Sequence, residues 1–352
     1  MIPIAFNVNK NYIPYLAVTI ASILKNASQE TEFDFYVLST NNLEGELNKI
    51  AIDGYNNFNI INKIINTNIF DGVSDKQIAR HITFDGYLHA FIPKILTELD
   101  KCIHLDCDLV VNADITNLYE HDLSDNYMCG AVSAVTNYVN YPASHAFNLI
   151  QKYNLVDGLY FNIGVKLLNL KQIRRDNAED IFLNEIKNYI GNNDLTIFDQ
   201  DLMNIVYQGM GKIRNIDPRW NVNINAGPYR PSKDCFVIHW PGKNKPWIEP
   251  TAPHVILYLE YAKITNFYDQ IRQDLLKIIN ERLGYLETKL WYKKYKRKRS
   301  LFDIKLFGKP VFPGKVAHYQ RKIDKFLLQK REKERYYDEI IRLKQFLAEY
   351  ES

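Results

Sequence analysis

The first 250 residues predict an α/β fold built on a largely parallel sheet, and three observations carry that prediction. Short apolar runs alternate with longer segments of helical periodicity. One of those runs stops on two aspartates that flank a cysteine. After Pro250 the strand signals vanish and only helical segments remain.

The elements follow in order. Residues 2–6 form an apolar first strand, and the polar turn 7–11 leads into a helix whose Leu16, Ile20, Ile23 and Leu24 share one face. Residues 33–38 are the second strand, and a helix over 43–56 precedes a third at 59–61. A helix over 87–99 feeds the apolar strand 102–105, which halts at Asp106-Cys107-Asp108 and resumes over 109–111. Strands over 130–135, 164–170 and 236–239 and a helix over 200–208 complete the first part. A turn-rich break at 308–314 then precedes a final long helix.

Composition bounds the function. A chain of 352 residues with 46% apolar and 24% charged side chains suits one large domain with a smaller addition. Cys102, Cys107, Cys129 and Cys235 form no C-x-x-C pair, which argues against a zinc ribbon or a disulfide framework and fits a reducing cytosol. The first residues lack the basic start of a signal peptide, and no apolar run approaches the ~18 residues of a membrane span. A cytoplasmic protein is therefore expected. Charge is uneven: residues 289–352 hold 19 Lys and Arg against 8 Asp and Glu, whereas the rest holds 25 against 33. The tail thus carries +11 and the body −8.

The chemistry concentrates in two places. Asp106 and Asp108 end a strand, and in open α/β sheets ligands collect at the carboxyl ends of strands. Two carboxylates at this spacing can converge on one cation, although the bare tripeptide also occurs as an ordinary polar loop. The second place is His239-Trp240-Pro241-Gly242-Lys243-Asn244-Lys245-Pro246-Trp247, where a strand ends on a histidine and opens into a stiff basic turn. Gly242 allows close backbone approach, Lys245 can place an ammonium against phosphate, and an added imidazole shifts the metal preference from Mg²⁺ towards Mn²⁺.

Taken in chain order, the D-x-D, Tyr160-Phe161-Asn162-Ile163-Gly164, Asp199-Gln200-Asp201 and the H-x-x-G-x-x-K-P-W turn closely resemble glycosyltransferase family 8. This family of retaining transferases includes bacterial lipooligosaccharide galactosyltransferases and the glycogenins. The likeness runs from residue 2 to about residue 250. It implies a GT-A fold, a Rossmann-like nucleotide-sugar-binding domain with a mixed central sheet. It also implies a UDP-hexose donor, galactose or glucose, a carbohydrate or glycolipid acceptor, and Mn²⁺, with Mg²⁺ as the alternative. Asp106, Asp108 and His239 match the metal ligands. Asn9, Asn11 and Tyr12 match the loop around the uridine, and Ala5 and Asp106 stand with them among the donor contacts. Gly242 and Lys245 match diphosphate contacts, Asn162 and Asp199 match sugar contacts, and Gln200 matches the residue beneath the anomeric carbon. The expected domains are then a catalytic domain over 1–255, a helical connection over 256–288 and a basic helical tail over 289–352.

Three residues depart from the pattern, the first being Asn9, which stands where some members have aspartate. Many members carry an arginine where this chain has His89, which is mostly neutral near pH 7. Lys166 sits inside the apolar strand after Gly164, where an outward-facing position is expected of a lysine. Asp199, Gln200 and Asp201 are the candidate catalytic residues. Gln200 is a poor nucleophile, which favours front-face attack with the leaving phosphate taking the acceptor's proton, and the two aspartates are the fallback nucleophiles. Helix capping is their competing reading.

Two rival functions are open. A hydrolase working through two carboxylates needs no basic turn after His239. A nucleotide-sugar-binding protein with a lapsed catalytic site draws its support from His89. The tail, Lys289-Leu290-Trp291-Tyr292-Lys293-Lys294-Tyr295-Lys296-Arg297-Lys298-Arg299, interleaves basic and aromatic residues and suits an anionic membrane surface, at the inner face of the plasma membrane. No nucleic-acid module accompanies it, and the acidic body would repel a phosphate backbone. The sequence leaves the oligomeric state open.

Overall fold

The computed structural model of the chain describes residues 1–66, 68, 88–132, 145–189, 198–225, 230–304, 338–346 and 348, with the side chains of the long C-terminal helix described to residue 288. Strand β1 (Ile2–Asn7) is an interior strand whose Pro3, Ile4, Ala5 and Phe6 are all buried, as a strand covered on both faces requires. It pairs in parallel with β2 (Phe33–Ser39) on one side and β4 (Cys102–Leu105) on the other. β2 pairs in parallel with β3 (Phe58–Ile64). Beyond β4 the sheet turns antiparallel through β7 (Phe161–Leu168) and β6 (Met128–Val132), and β8 (Ile213–Ile216) closes it. The order β3-β2-β1-β4-β7-β6-β8 makes a mixed seven-stranded sheet.

A second sheet of three short strands, β5 (Leu109–Val111), β10 (Val237–His239) and β9 (Val222–Asn223), lies at the end of the first. Helix α1 (Ile13–Asn26) fastens β5 with two buried hydroxyls. Thr19 Oγ1 donates to the Leu109 carbonyl at 2.9 Å, and Ser22 Oγ accepts from the Val111 N–H at 2.9 Å. Each satisfies a buried backbone group that would otherwise be costly. Asp106, Cys107 and Asp108 are the link between β4 and β5, and so between the two sheets.

Several elements differ from their sequence-based expectations. The helix expected over 43–56 is a single turn, Glu44–Leu47, because the chain then bends to bury Ile50 and Ile52, with Ile52 bridging to Thr265 and Gly54 adopting φ +82°. The helix expected over 87–99 is a 3-10 turn, Leu88–Phe91, and one α turn, Ile92–Ile95, for the residues described. The Arg174 guanidinium takes the Pro93 carbonyl, which continuation of the helix would pair with the Thr97 N–H. β7 ends at Leu168 because Asn169 caps the helix Leu170–Arg175, its side chain accepting from the Gln172 N–H. β6 is described to Val132, and the expected break at 308–314 lies outside the described residues.

The chain divides into two compact units. One comprises Met1–Pro246 with Leu257–Tyr268, the other Trp247–Ile256 with Asp269–Ser352. The helix Tyr268–Ile304 runs through residue 288 unbroken, so the expected boundary between a connection and a tail is not an element boundary. Within the second unit Arg282 pairs with Glu249 at 2.7 Å and Glu339 at 2.5 Å, and Ile340, Leu343 and Phe346 of the segment 338–346 are buried. No helix among the described residues is long and apolar enough to cross a membrane. All four cysteines are buried and free.

Candidate active site

Asp106 and Asp108 lie on the bend that joins β4 to β5, with Cys107 between them. Cys107 turns into the core, and burial with its two acidic neighbours pushes its thiol well above the usual range. Backbone contacts hold the two aspartates in place: the Asp106 N–H donates to the Gly164 carbonyl at 2.8 Å, and the Trp240 N–H donates to the Asp108 carbonyl at 2.9 Å. The β5–β10 register sets His239 opposite Leu109. The imidazole therefore arrives beside the carboxylates across 131 residues of chain, with Nε2 3.1 Å from Asp108 Oδ1 and 3.5 Å from Asp106 Oδ2.

One ligand atom from each of Asp106, Asp108 and His239 lies within 4.8 Å of the others. Two hard oxygens and one imidazole nitrogen suit Mn²⁺ or Mg²⁺, so the donor set fits a divalent cation. Gly164 gives the cluster its room. A Cβ on it would stand 2.5 Å from Asp106 Oδ2 and closer still to His239 Cε1.

The electrostatics are those of buried opposite charges. Burial works against the Asp108 carboxylate, but His239 and Lys245 outweigh it and hold the group down at about 2. Burial likewise disfavours a charged His239, and Asp108 and Asp106 overcome it, raising the imidazole to about 9. Lys245 pairs with Asp108 and donates to the Trp240 carbonyl at 3.0 Å. Its position follows from the turn after β10, where exposed Gly242 adopts φ +81°. Tyr12, from the turn after β1, borders this cluster. Burial raises its phenol, and Lys245 and Asp108 are close enough to act on it.

A second group of polar side chains continues inward from His239. Nδ1 of His239 meets Asn221 Oδ1 at 2.9 Å, and Asn221 Nδ2 donates to Asn162 Oδ1 at 2.7 Å. That oxygen also accepts from the Gly164 N–H at 3.1 Å. Asn162 Nδ2 donates in turn to Gln200 Oε1 at 2.9 Å, and Gln200 Nε2 donates to the Tyr160 hydroxyl at 2.9 Å. The Tyr160 hydroxyl donates to Asp201, whose other oxygen lies 2.8 Å from His145 Nε2. Since the Gly164 N–H can only donate, the orientation of every amide in this chain is fixed, and His239 must carry a proton on Nδ1.

Most of the sequence-derived site residues thus meet in one place: Asp106, Asp108, Asn162, Asp199, Gln200, His239 and Lys245, with Tyr12 at the border. Asn9 caps the turn Lys10–Tyr12 by accepting from the Asn11 N–H, and Asn11 is exposed. Ala5 has its side chain in the core beneath the sheet, with Tyr36 and Leu38 in the same cluster. Asp201 has no exposed surface, and its oxygens bind Tyr160 and His145. Burial, opposed in part by hydrogen bonds from the backbone, raises the Asp199 carboxyl to about 6. Lys166 overturns its outward-facing expectation, being entirely buried between β4 and β6. Asn221 escaped the sequence reading because nothing local marks a residue whose role is defined by Asn162 and His239.

A mixed sheet whose D-x-D edge meets a histidine from a small second sheet defines a glycosyltransferase of GT-A architecture. The solved galactosyltransferase LgtC, in complex with donor and acceptor sugar analogues, matches with TM-score 0.60 and 26% identity over 74% of this chain and 95% of its own. The WbbM bifunctional glycosyltransferase matches in fold, with TM-score 0.64 and 20% identity, this chain spanning 51% of its length and 78% of this chain being covered. The family model for glycosyl transferase family 8 matches residues 3–251, and the chain belongs to that family. Among curated relatives, the lipopolysaccharide 1,2-glucosyltransferase of Escherichia coli (strain K12) is 28% identical over 272 residues, 73% of this chain and 77% of that protein. General stress protein A of Bacillus subtilis (strain 168) is 24% identical over 278 residues, 73% of this chain and 91% of that protein.

Proposed function

We propose that the chain transfers a hexose, galactose or glucose, from a UDP-sugar to a carbohydrate acceptor on a cell-surface glycolipid or glycan, with retention of configuration. The observation that carries this reading is the convergence of Asp106, Asp108 and His239 beside the Asn162–Gln200 pair. A divalent cation, Mn²⁺ foremost, held by the three ligands would stabilise charge on the departing diphosphate. Lys245, already against Asp108, stands where it can add a second positive charge.

The Gln200 amide supports front-face attack. Its oxygen accepts from Asn162 Nδ2 and lies 3.4 Å from the Ile163 N–H, so a weak nucleophile is weakened further. In this scheme the bond from the anomeric carbon to the diphosphate oxygen breaks as the bond to the acceptor oxygen forms, and the acceptor's proton passes to the phosphate. The buried Asp201 serves better as an anchor for Tyr160 than as a nucleophile, which leaves Asp199 as the fallback.

Mass-detected transfer with a panel of UDP-sugars and Mn²⁺ tests the proposal. Metal-dependent transfer from one donor is the expected result. Binding of UDP and Mn²⁺ without turnover of any donor would favour a lapsed site, and release of free sugar from a glycoside substrate would favour the hydrolase. We also propose that the basic run 289–299 attaches the enzyme peripherally to anionic lipid at the cytoplasmic membrane face, which would bring a glycolipid acceptor within reach.

A further inference from the structure

Lys166 has no exposed surface, and a buried ammonium is costly unless each of its protons finds an acceptor. Here each does: Nζ lies 2.8 Å from the Ile163 carbonyl, 2.9 Å from His104 Nδ1 and 3.2 Å from His89 Nδ1. An ammonium has three hydrogens and no lone pair, so both imidazoles must accept at Nδ1 and carry their own proton on Nε2. Burial and the Lys166 charge both lower the two histidines well below their usual value, which keeps them neutral and fit to accept.

The lock has a consequence on the far side of His89. Its Nε2–H is buried and finds no hydrogen-bond partner among the described residues. Asp199 Oδ2 is 3.7 Å away, too far for a hydrogen bond, and the Asp199 side chain keeps 22% of its surface exposed. A donor and an acceptor at this separation complement a single hydroxyl, whose oxygen can sit about 2.9 Å from the nitrogen and about 2.7 Å from the carboxylate.

We propose that Lys166 is a positioning residue for the transferred sugar: it locks His89 as an Nε2–H donor facing Asp199, and the two together hold one sugar hydroxyl. His89 donates to the hydroxyl oxygen and Asp199 accepts its proton. The proposal rests on the reading of Asp199 as part of the donor-sugar pocket. Lys166 touches no substrate in this arrangement and acts only through His89.

The test uses the full chain and Lys166→Met, which keeps the length of the side chain and removes its donors. Calorimetry with Mn²⁺ should show the variant binding UDP as the parent does and binding the UDP-hexose substrate about tenfold more weakly, the loss of one hydrogen bond. Across mono-deoxy UDP-hexoses, the parent should discriminate against one analogue and the variant should not. His89→Leu should reproduce both results if Lys166→Met folds poorly. Equal loss of UDP and UDP-hexose binding, or unchanged discrimination, would overturn the proposal. Histidine ¹⁵N spectra read the lock without any activity: Nε2–H for His89 in the parent and a redistributed tautomer in Lys166→Met are expected, and an Nδ1–H parent sinks the idea. If the parent binds no UDP-sugar, the proposed function fails, and the spectra alone decide the lock.

Discussion

The Nδ1 of His239 stands 2.9 Å from the Oδ1 of Asn221, and the backbone N–H of Gly164, acting through Asn162, dictates which atom of that amide faces the imidazole. The ring is thereby held with Nε2 turned to the two aspartates. Outer partners of this kind commonly govern metal affinity by about 10- to 100-fold. Asn221→Ala is expected to weaken Mn²⁺ binding within that range, as titration calorimetry would show. Unchanged affinity would mean that β10 alone orients His239.

The two aspartates differ in burial, and their variants should differ accordingly. Asp106 is 44% exposed in its side chain and Asp108 only 9%. Alanine at Asp106 is expected to abolish Mn²⁺-dependent UDP binding and leave the melting temperature nearly unchanged. Alanine at Asp108 should do the same and also cost about 3 kcal/mol, because His239 and Lys245 lose their shared counter-charge. His239→Ala should weaken binding less completely. Three variants that bind UDP and Mn²⁺ like the parent would refute the metal site.

Gly164 offers a test that removes no ligand. A methyl at this position overlaps Asp106 and His239, so Gly164→Ala should prevent the three groups from converging. Loss of Mn²⁺-dependent donor binding in a chain that retains its circular dichroism is the expected outcome.

The raised His239 has a pH signature. Its folded-state value of about 9 lies above the ordinary one. The stability it contributes is therefore complete below the ordinary histidine value of about 6.5 and is lost as pH rises through about 9. A divalent cation must displace that proton, so affinity should climb as pH rises towards about 9 and level off above it, with release of close to one proton per ion well below that value. Calorimetry in buffers of different ionisation enthalpy measures the release, and a pH-independent affinity would contradict it.

The basic run is best tested without truncation, since the second unit buries Ile340, Leu343 and Phe346 of the segment that truncation would delete. Glutamine at Lys293, Lys294, Lys296 and Arg297 should reduce co-sedimentation with anionic vesicles and leave transfer to a soluble acceptor unchanged. Binding by the parent should fall steeply from low to physiological salt, as screening requires. Salt-insensitive binding would assign the run another role.

The sequence by itself determined the alternation of strands and helices through residue 250, the placement of Asp106 and Asp108 at a strand end, and the turn that carries Gly242 and Lys245. These are local properties, set by side-chain periodicity and by turn chemistry within a few residues. It overextended the helix at 43–56 because the chain there leaves the helix to bury Ile50 and Ile52, and Ile52 bridges to a distant partner, Thr265. The tertiary structure alone decided that β5 and β10 pair, and so that His239 meets Asp108 across 131 positions. It also decided that Asn221 orients His239, and that Lys166 lies buried between two histidines from other elements. A lysine inside an apolar strand has no local cue to say whether acceptors await it in the core. The balance between desolvation and three hydrogen bonds settles the matter only once the strands are packed.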